Sequence, residues 1–445
     1  MHRYVPELAR CAVPRYTSYP TAAEFHDGVG ADAQCRALDR VGAGEPVSLY
    51  VHIPYCREIC WYCGCNTGAV GREDRLRTYV DALMREIELV SARMKGLVSR
   101  IHFGGGSPNV LDPANFTALA TGLRARFAVA ADAEWAAEID PRHFTAEHAA
   151  AFAAAGISRI SVGVQTFAPH IQVRIGRLQP RRMVAQAIAD ARAAGIGRIN
   201  LDLMYGLPGQ SLEDIAATIA TALTLAPDRI AMFGYAHLPA ALPRQRRIDA
   251  ATLPGAEARF WQSALAHDML VEAGYQAIGF DHFARPRDTL AIAARAGRLR
   301  RNFQGFTDDQ AHILIGVGAS AISQYDDLLV QNEKHVGRYR LRVGNGLLPG
   351  VRGIVRRADD RLRAELIERL LCDSAIDVAA IAAARGRDLA ALQPALDRVA
   401  ALTRYGIAEF DGTRVRVTPQ GAPYVRIVAA AFDVHRAAGS FSKAV

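Results

Sequence analysis

Short apolar segments alternate with helical patterns through the middle of the chain, and this alternation limits the fold more than any other feature. Six segments have strand character: 47–54, 100–108, 134–141, 159–167, 198–209 and 229–239. The helical patterns between and after them fall near 74–97, 112–127, 144–155, 180–194, 211–226 and 255–274. Strands that alternate with helices of this length predict βαβ units and a parallel sheet. Both an open doubly wound sheet and a partial (β/α) barrel satisfy the pattern.

Polar or glycine-rich residues stand at the carboxyl ends of these segments. They are Cys56, the glycines at 104–106, Glu138, Asp140, Gln165, Asp202, Tyr205 and His237. In parallel α/β architectures the carboxyl ends of the strands meet on one side and carry the site. We therefore expect these residues to line a common pocket.

Four of the seven cysteines lie within ten residues, at the spacing C-x3-C-x2-C-x-C from Cys56 to Cys65. The N-terminus lacks the apolar region of a secretory signal, and no apolar run reaches the ~18–20 residues of a membrane span. We therefore expect a cytoplasmic protein without a membrane span. Thiols stay reduced in that compartment, so clustered cysteines indicate a metal site or catalysis before disulfides.

Thiolates select zinc, copper(I) or iron–sulfur clusters. Cys56, Cys60 and Cys63 follow a strand end and can bind three irons of a [4Fe–4S] cluster, which leaves the fourth iron open to chelate the amino-acid end of S-adenosylmethionine. The alternative is a zinc knuckle. Zinc sites usually use paired knuckles well separated in sequence, and Cys65 follows Cys63 too closely to wrap one ion.

Other strand ends fit the same ligand. The turn "GGGSP" at 104–108 allows close approach of a ligand to the backbone, and we expect it to offer free N–H groups. Glu138, Gln165, Arg177 and Asp202 can bond the amino group, the carboxylate and the ribose hydroxyls. Tyr62, inside the cysteine loop, can contact the adenine. These residues predict a site for S-adenosylmethionine beside the cysteines.

The chain divides by composition into three parts. Residues 1–46 form an N-terminal extension, 47–356 the catalytic domain, and 357–445 a mostly helical domain that resembles a winged helix. The formal net charge is +8, and the positive charge is nearly all arginine, because the chain has three lysines, Lys95, Lys334 and Lys443. A basic balance fits a polyanionic partner or a solvated surface. No nucleic-acid motif accompanies it, so we expect no nucleic-acid partner.

The motifs together resemble one family. The cysteine spacing resembles the radical S-adenosylmethionine superfamily. Within it the chain resembles the oxygen-independent coproporphyrinogen III oxidases, also called coproporphyrinogen dehydrogenases. The resemblance covers nearly the whole chain, through "PRYTSYPTA", "SLYVHIPYC", "CGCN", "GGGSP", "DPR", "GVQTF", "NLDLMYGLPGQ", "YAHLP", "GFDHFARP", "RNFQGFT", "GASAIS" and "FSKAV".

The resemblance implies a partial (β/α)6 barrel of the TIM-like type and an oxidoreductase of porphyrin biosynthesis. Such an enzyme converts two propionates of coproporphyrinogen III to vinyls, giving protoporphyrinogen IX and carbon dioxide. A 5′-deoxyadenosyl radical from S-adenosylmethionine abstracts hydrogen from the propionate β-carbon. It also implies a monomer, a cluster reductant and a terminal electron acceptor, both unidentified. The sequence also leaves open which propionate reacts first.

The resemblance carries residue roles with it. It implies that Cys56, Cys60 and Cys63 ligate the cluster and that two S-adenosylmethionine molecules bind. The contacts of the cluster-bound molecule would be Tyr50, Gly105, Glu138 and Ile322. Those of the second molecule would be Tyr62, Gly106, Ser107, Gln165, Arg177, Asp202 and Ala236. The substrate carries four carboxylates, which Arg15 and Arg301 could clamp bidentately.

Some residues depart from the family pattern. Ser107 stands for threonine, Tyr62 for phenylalanine and Phe280 for methionine. In the segment 307–323, Ala311 and Ile313 stand where polar residues are usual, which leaves the loop conformation and the Ile322 contact open. Two other readings remain: a haem chaperone or haem-processing relative, and a zinc-stabilised binding module. Cys65 and "PRYTSYP" favour the oxidase over the haem-handling relatives.

Two further residues are candidates for catalysis. Cys65 is predicted to tune the cluster or contact a cofactor, with simple packing as the alternative. His52 could hydrogen-bond near the cluster, or could be a satisfied core histidine. We expect Cys11, Cys35 and Cys372 to be packing cysteines, and spacing assigns no role to His237 or His282.

Overall fold

The first half of the chain alternates strictly between strands and helices. The computed structural model describes residues 2–71 and 73–435, so the closing "FSKAV" at 441–445 lies outside the described residues. The elements as far as residue 234 are α1 (Pro6–Ala9), α2 (Ala31–Asp39), β1 (Pro46–Ile53), β2 (Tyr55–Cys56), β3 (Gly68–Ala69), α3 (Glu73–Ser91), β4 (Leu97–Gly105), α4 (Pro113–Arg126), β5 (Val129–Ile139), α5 (Ala146–Ala154), β6 (Ile157–Gln165), α6 (Pro169–Arg174), α7 (Arg181–Ala193), β7 (Arg198–Tyr205), α8 (Leu212–Thr224) and β8 (Arg229–Gly234).

The second half has a more mixed pattern of helices and short strands. Its elements are α9 (Ala256–Glu272), β9 (Gln276–Ile278), β10 (His282–Ala284), α10 (Thr289–Arg295), β11 (Arg300–Asn302), β12 (Gly305–Thr307), β13 (Ile313–Val317), β14 (Ile322–Gln324), β15 (Leu328–Asn332), α11 (Val336–Gly344), β16 (Gly350–Val355), α12 (Ala358–Asp373), β17 (Ala375–Asp377), α13 (Val378–Ala384), α14 (Gln393–Thr403), β18 (Ala408–Phe410), β19 (Arg414–Val417) and α15 (Val425–Ala429).

Six parallel strands form the centre of one twelve-stranded sheet. Its order is β16-β15-β14-β13-β1-β4-β5-β6-β7-β8-β10-β9. The strands from β1 through β8 in this order are parallel neighbours, and β13 adds to β1 in parallel. β8 pairs with the antiparallel β10 rather than with β1, so the six strands do not close. Because these six strands also follow one another in chain order, without the reversal of a doubly wound sheet, the partial (β/α)6 barrel that the resemblance implied is confirmed.

Local signals fix the helix starts. Asp112 caps α4 through the Asn115 N–H and is followed by Pro113, a residue that needs no N–H there. Ser211 and Asp214 form a capping box at the start of α8. The apolar faces of these helices pack on the strands in one large core, which includes Phe103, Phe116 and Phe152. The helices therefore lie outside the sheet and leave its inner face for polar residues.

An ion-pair network fills the inner face near the amino ends of the strands. Arg100 of β4 binds Asp308 at 2.7 Å, and Arg159 of β6 binds Glu134 of β5 at 3.1 Å. Asp308 belongs to the segment whose departures left the loop conformation open. Ile313 of that segment begins β13 opposite Val47, where an apolar side chain packs in the core. The network plugs one end of the barrel and leaves the carboxyl ends for the site.

A second core joins the N-terminal segment and the C-terminal part to the side of the barrel. Leu8 and Val13 pack there with Phe260, Leu366 and Phe432. Hydrogen bonds tie the same parts, from Tyr16 Oη to Asp433 at 2.9 Å and from Arg426 to the Val13 carbonyl at 3.3 Å. In the C-terminal part, β17, β19 and β18 form a small antiparallel sheet between helices. None of the described helices combines the length and apolarity needed to cross a bilayer.

Candidate active site

A cavity of about 590 Å³ opens at the carboxyl ends of the parallel strands. Its wall combines the cysteine loop, the glycine turn, strand ends and part of the N-terminal extension. Of the strand-end residues singled out in the sequence, it includes Cys56, Gly105, Gly106, Glu138, Asp140, Gln165 and Asp202. Tyr205 and His237 are not among the lining residues. The prediction that one pocket collects the strand ends is confirmed for the residues on β4 through β7.

The cysteine loop is closed where its two ends pair and is anchored near its middle. Tyr55 and Cys56 pair with Gly68 and Ala69, which closes the loop between them. The Trp61 N–H donates to the carbonyl of Ile175 at 2.9 Å. These bonds fix the loop backbone, so the positions of the thiols are set by the protein itself.

Cations surround the thiols. The Cys60 sulfur accepts hydrogen bonds from Arg177 at 3.2 Å and from Arg142 at 3.5 Å. Hydrogen bonds from the Cys65 thiol and backbone N–H lower the pKa of Cys63 to about 6, and the Arg244 charge acts in the same direction. Burial instead raises the pKa of Cys56 to about 12. Arg177 and Arg142 thus place positive charge at the Cys60 sulfur, which suits an anionic cluster.

The distances between the thiols can be compared with those around a single zinc ion. Tetrahedral zinc with Zn–S bonds of about 2.3 Å would bring its thiolates to within roughly 4 Å of one another. Among the described residues, no three of the four loop thiols lie within 4.8 Å of one another. No three of these thiols are therefore arranged around a single zinc ion, and the all-thiolate donor set suits an iron–sulfur cluster.

The glycine turn differs from the expectation in one respect. Gly105 donates its N–H to Glu138 at 3.2 Å, Gly106 to the Ile53 carbonyl at 2.7 Å, and Ser107 to the Tyr55 carbonyl at 2.9 Å. The prediction that the turn offers free N–H groups is therefore wrong, because all three N–H groups already have acceptors, on β5, β1 and β2 respectively. Its glycines serve close packing instead. A Cβ on Gly106 would lie 2.3 Å from the Tyr55 carbonyl oxygen.

The Ser107 hydroxyl is also committed to the protein. It donates to Asn109 Oδ1 at 2.7 Å and accepts from the Asp140 N–H at 3.1 Å. These bonds join the turn after β4 to the end of β5. The residue keeps a hydroxyl where the family has threonine, and here that hydroxyl has a structural task.

Three polar side chains face the thiols across the cavity. Glu138 and Asp202 stand on β5 and β7, and Gln165 ends β6 with a left-handed φ of 69°. Burial raises the pKa of Asp202 to about 6, although Ser161 and Asn200 donate to its carboxylate. A left-handed φ is costly for a residue with a side chain and is concentrated at functional positions. These groups offer acceptors and one amide to a polar ligand.

Arg177 is saturated by protein acceptors. Its Nε donates to Gln179 at 3.0 Å, and Nη2 donates to the Gly163 carbonyl at 2.6 Å. The remaining N–H groups meet Cys60 and Asp140. A guanidinium has five donors, and all of them are used. Arg177 therefore lines the cavity but has no donor left for a ligand in this arrangement.

Tyr62 and Ala236 share one partner that sequence inspection missed. Both line the cavity, and the Gln245 amide donates to the Tyr62 carbonyl at 2.9 Å and to the Ala236 carbonyl at 3.1 Å. Gln245 lies in the short 3-10 helix of residues 243–247. No local motif marks it, because its role arises from contacts between segments far apart in the chain.

Tyr50, Ile322 and His52 are not among the lining residues. Tyr50 packs edge-on against Phe303, with ring centroids 4.6 Å apart, and Phe303 itself lines the cavity. Ile322 begins β14 next to Ala321, which packs with Tyr50. His52 is buried, which lowers its pKa to about 4, so it is neutral near pH 7. These residues stand behind the wall and not in it.

The remaining cysteines divide into two groups. Cys65 is exposed, lines the cavity and donates its N–H to Cys63 at 3.4 Å. Cys11, Cys35 and Cys372 are half-buried and pack at the edges of the two cores.

Arginines from distant segments meet on the cavity wall. Arg15 and Arg301, the two arginines proposed from the sequence, both line the cavity. Arg301 donates from Nε and Nη2 to the carbonyl of Arg15, at 3.3 and 3.1 Å. Sequence inspection did not assign a role to Phe303, Gln304 or Phe233, which also line the cavity, although the first two lie in the quoted motif "RNFQGFT".

Comparison with known proteins gives a consistent result. Residues 50–222 match the radical SAM superfamily and residues 357–424 match the HemN C-terminal domain. The oxygen-independent coproporphyrinogen III oxidase of Bradyrhizobium diazoefficiens is 43% identical over 95% of this chain and 94% of its own length. The Pseudomonas aeruginosa enzyme of the same name is 39% identical over 94% and 93%.

A solved structure covers the same length. The coproporphyrinogen III oxidase HemN from Escherichia coli, described as a radical SAM enzyme, superposes with a TM-score of 0.91. It is 37% identical, and the match covers 95% of this chain and 98% of that chain. Both the barrel and the C-terminal part therefore have counterparts in one solved protein.

Proposed function

The chain belongs to the oxygen-independent coproporphyrinogen III oxidases of the radical SAM superfamily, and on this premise we propose how its residues carry out that reaction. The reaction is the oxidative decarboxylation of two propionates of coproporphyrinogen III to vinyls, which gives protoporphyrinogen IX. For each vinyl, a hydrogen atom goes to the 5′-deoxyadenosyl radical, one carbon dioxide leaves, and one electron passes to a terminal acceptor. One observation carries the proposal: a single cavity is lined by the cysteine loop on one side and by Arg15 and Arg301 on another. A thiolate-bound cofactor and a polyanionic substrate thus share one space.

Cys56, Cys60 and Cys63 would hold the [4Fe–4S] cluster, and the remaining iron position would take S-adenosylmethionine. When bound and reduced, these cofactors supply a 5′-deoxyadenosyl radical that removes a hydrogen atom from a propionate β-carbon. The residues of the chain bind, orient and shield. Arg177 and Arg142 hold the Cys60 sulfur in place and offset the negative charge around it.

Two S-adenosylmethionine molecules are proposed to bind along the cavity wall. Glu138 and Gly105 would hold the cluster-bound molecule, with Tyr50 and Ile322 supporting that wall from behind. For the second molecule, the residues on the cavity wall are Tyr62, Gly106, Ser107, Gln165, Asp202 and Ala236. Arg177 would act mainly by positioning, because its five donors already meet protein acceptors.

Arg15 and Arg301 are proposed to clamp carboxylates of the substrate. Arg301 is buried, and its Nη1 has no hydrogen-bond partner among residues 2–71 and 73–435. A buried, unpartnered guanidinium nitrogen is costly unless an anion binds it. Arg15 comes from the N-terminal extension, which therefore helps to cover the cavity and to keep water from the reacting carbon.

An anaerobic assay tests this function. The protein with a reconstituted cluster receives dithionite, S-adenosylmethionine and coproporphyrinogen III, and both 5′-deoxyadenosine and protoporphyrinogen IX are followed. We expect both products with the wild type and neither with Cys60→Ser. 5′-Deoxyadenosine without vinyl product would contradict the assignment of the substrate and would favour a haem-handling relative, for which stable haem retention is the check.

The clamp has its own test. Arg15→Ala and Arg301→Lys are expected to raise the KM for coproporphyrinogen III about tenfold or more, because each removes a bidentate contact with a carboxylate. Arg398→Lys on α14, whose guanidinium binds the Ala431 carbonyl away from the cavity, is the matched control. An unchanged KM for Arg15→Ala would remove that residue from the clamp.

A further inference from the structure

Five acidic side chains line the cavity, and they differ in what already holds their oxygens. They are Glu58, Glu138, Asp140, Asp202 and Asp281. Arg142 binds both Glu58 and Asp140 at 2.6 Å. Asp202 accepts from Ser161 and Asn200, and Glu138 accepts from Gly105 in the wall proposed for S-adenosylmethionine. Four of the five acids are thus either bound by an arginine or part of the wall proposed for S-adenosylmethionine.

Asp281 is the fifth, and its carboxylate is held at one oxygen. Oδ1 lies 2.7 Å from Nδ1 of His282. Among residues 2–71 and 73–435, the Asp281 side chain makes no other hydrogen bond. The carboxylate is buried against the protein but belongs to the cavity wall. It can therefore accept further hydrogen bonds from a ligand in the cavity.

His282 is fixed tightly enough to orient this carboxylate. Its ring meets the edges of Phe233 and Phe306, with centroids 5.7 and 5.5 Å away. Gly305 lies behind the ring, where an added Cβ would be 3.1 Å from it. The imidazole cannot easily rotate in this packing, so its Nδ1 stays directed at Asp281.

The surroundings keep Asp281 ionised. Burial alone would raise the pKa of its carboxyl, but His282, Arg301 and Arg15 outweigh that effect and lower it. The two arginines are the ones proposed to clamp substrate carboxylates. A carboxylate anion therefore stands beside the arginines in the same part of the cavity.

We propose that Asp281 accepts hydrogen bonds from pyrrole N–H groups of the bound macrocycle, that His282 positions it, and that this contact selects the reduced porphyrinogen over the oxidised porphyrin. The inference rests on the proposed function. All four nitrogens of a porphyrinogen are N–H donors, whereas two of the four in an oxidised porphyrin are acceptors. Acceptor nitrogens repel a buried carboxylate. A site built to bond N–H groups rejects an analogue that lacks them by leaving its own polar group unpaired.

The test compares the binding of two molecules. Protein with cluster and S-adenosylmethionine, without reductant so that no turnover occurs, is mixed anaerobically with coproporphyrinogen III or coproporphyrin III. Bound and free porphyrin are separated by ultrafiltration and quantified after oxidation. We expect the wild type to prefer the porphyrinogen at least tenfold. Asp281→Asn should weaken porphyrinogen binding about 10- to 100-fold, the range expected for losing a charge-assisted hydrogen bond, and should change porphyrin binding less than threefold.

Further variants separate this role from a structural one. Asp281→Glu retains the anion and should retain the preference, and Asp397→Asn on the exposed face of α14 should leave both affinities unchanged. His282→Gln should reduce the preference without abolishing it. Equal weakening of both ligands by Asp281→Asn, or a wild type that prefers neither, would overturn the proposal. If Asp281→Asn does not fold, a lost preference in Asp281→Glu overturns it and a retained one supports it. A wild type that binds neither molecule would overturn the proposed function as well.

Discussion

The guanidinium of Arg177 donates a hydrogen bond to the sulfur of Cys60 across 3.2 Å. The two residues are 117 positions apart in the sequence, and the bond joins the turn after α6 to the cysteine loop. A cation at this distance stabilises negative charge on the sulfur and on any iron bound to it. Because reduction adds negative charge, Arg177 should make the cluster easier to reduce.

Arg177→Gln is therefore expected to lower the midpoint potential of the cluster while leaving four irons per chain. Redox titration followed by electron paramagnetic resonance measures this shift. Arg181→Gln, four residues on and exposed, is the control, since its guanidinium binds Thr224 instead. A potential that stays the same in Arg177→Gln would contradict the electrostatic role of this contact.

Asp140 predicts an acid-dependent loss of stability. Burial would raise its pKa, but Arg177 and Arg142 lower it to about 2 from the ordinary 3.8. Because its pKa is lower in the folded state, the ionised carboxylate stabilises the fold by about 2 kcal/mol above pH 4. This stabilisation is lost as the pH falls towards 2. Urea unfolding of the wild type and Asp140→Asn between pH 5 and 2.5 measures it. The wild-type advantage should shrink as the pH falls, and a constant difference would contradict this account.

Glu86 predicts the opposite slope near neutral pH. Burial raises the pKa of its carboxyl to about 7, although Tyr339, Gly318 and Asn332 donate to it. A raised folded-state pKa means that stability falls as the pH rises from about 4.5 to 7, by about 3 kcal/mol in total. Glu86→Gln cannot titrate, so its free energy of unfolding should gain on the wild type over this range. Parallel pH profiles of the two proteins would show that Glu86 is not the titrating group.

Gly105 predicts a steric effect. Its φ is 109°, and a Cβ there would lie 2.6 Å from the ring of the buried His52. Gly195 has a similar φ of 95° with open space around it, so Gly195→Ala shares the backbone strain without the clash. Gly105→Ala should cost about 1–3 kcal/mol more than Gly195→Ala, the usual range for overpacking. Equal losses in urea unfolding would show that the His52 contact yields freely.

Local apolar patterns predicted the six parallel strands and the helices that alternate with them, whereas the choice of a partial barrel over an open doubly wound sheet came from the family resemblance. The strands between 275 and 350 were not predicted, since they are only three to five residues long and two of them, β10 and β13, pair with strands of the first half. β13, for example, exists because Ile313 meets Val47 across 266 positions. No short-range signal encodes such a pairing.

In the site, too, local features were predictable from the sequence and long-range contacts were not. The cysteine spacing and the strand-end residues were visible in the sequence because their chemistry is local. The saturation of Arg177, the bridging amide of Gln245 and the orientation of Asp281 by His282 depend on contacts between remote segments. The expectation of free N–H groups in the glycine turn was wrong for the same reason, since their acceptors are Glu138 of β5, Ile53 of β1 and Tyr55 of β2.

The most direct test asks whether the 5′-deoxyadenosyl radical formed beside the cysteine loop takes hydrogen from the β-carbon of a propionate of the substrate bound by Arg15 and Arg301. Coproporphyrinogen III carrying deuterium at the β-carbons of its propionates is turned over anaerobically with the reconstituted protein, dithionite and S-adenosylmethionine. Mass spectrometry of the 5′-deoxyadenosine should find substrate deuterium in it, together with protoporphyrinogen IX. Unlabelled 5′-deoxyadenosine, formed while the porphyrinogen is consumed, would show that the radical formed beside the cysteine loop does not react with the substrate bound by Arg15 and Arg301.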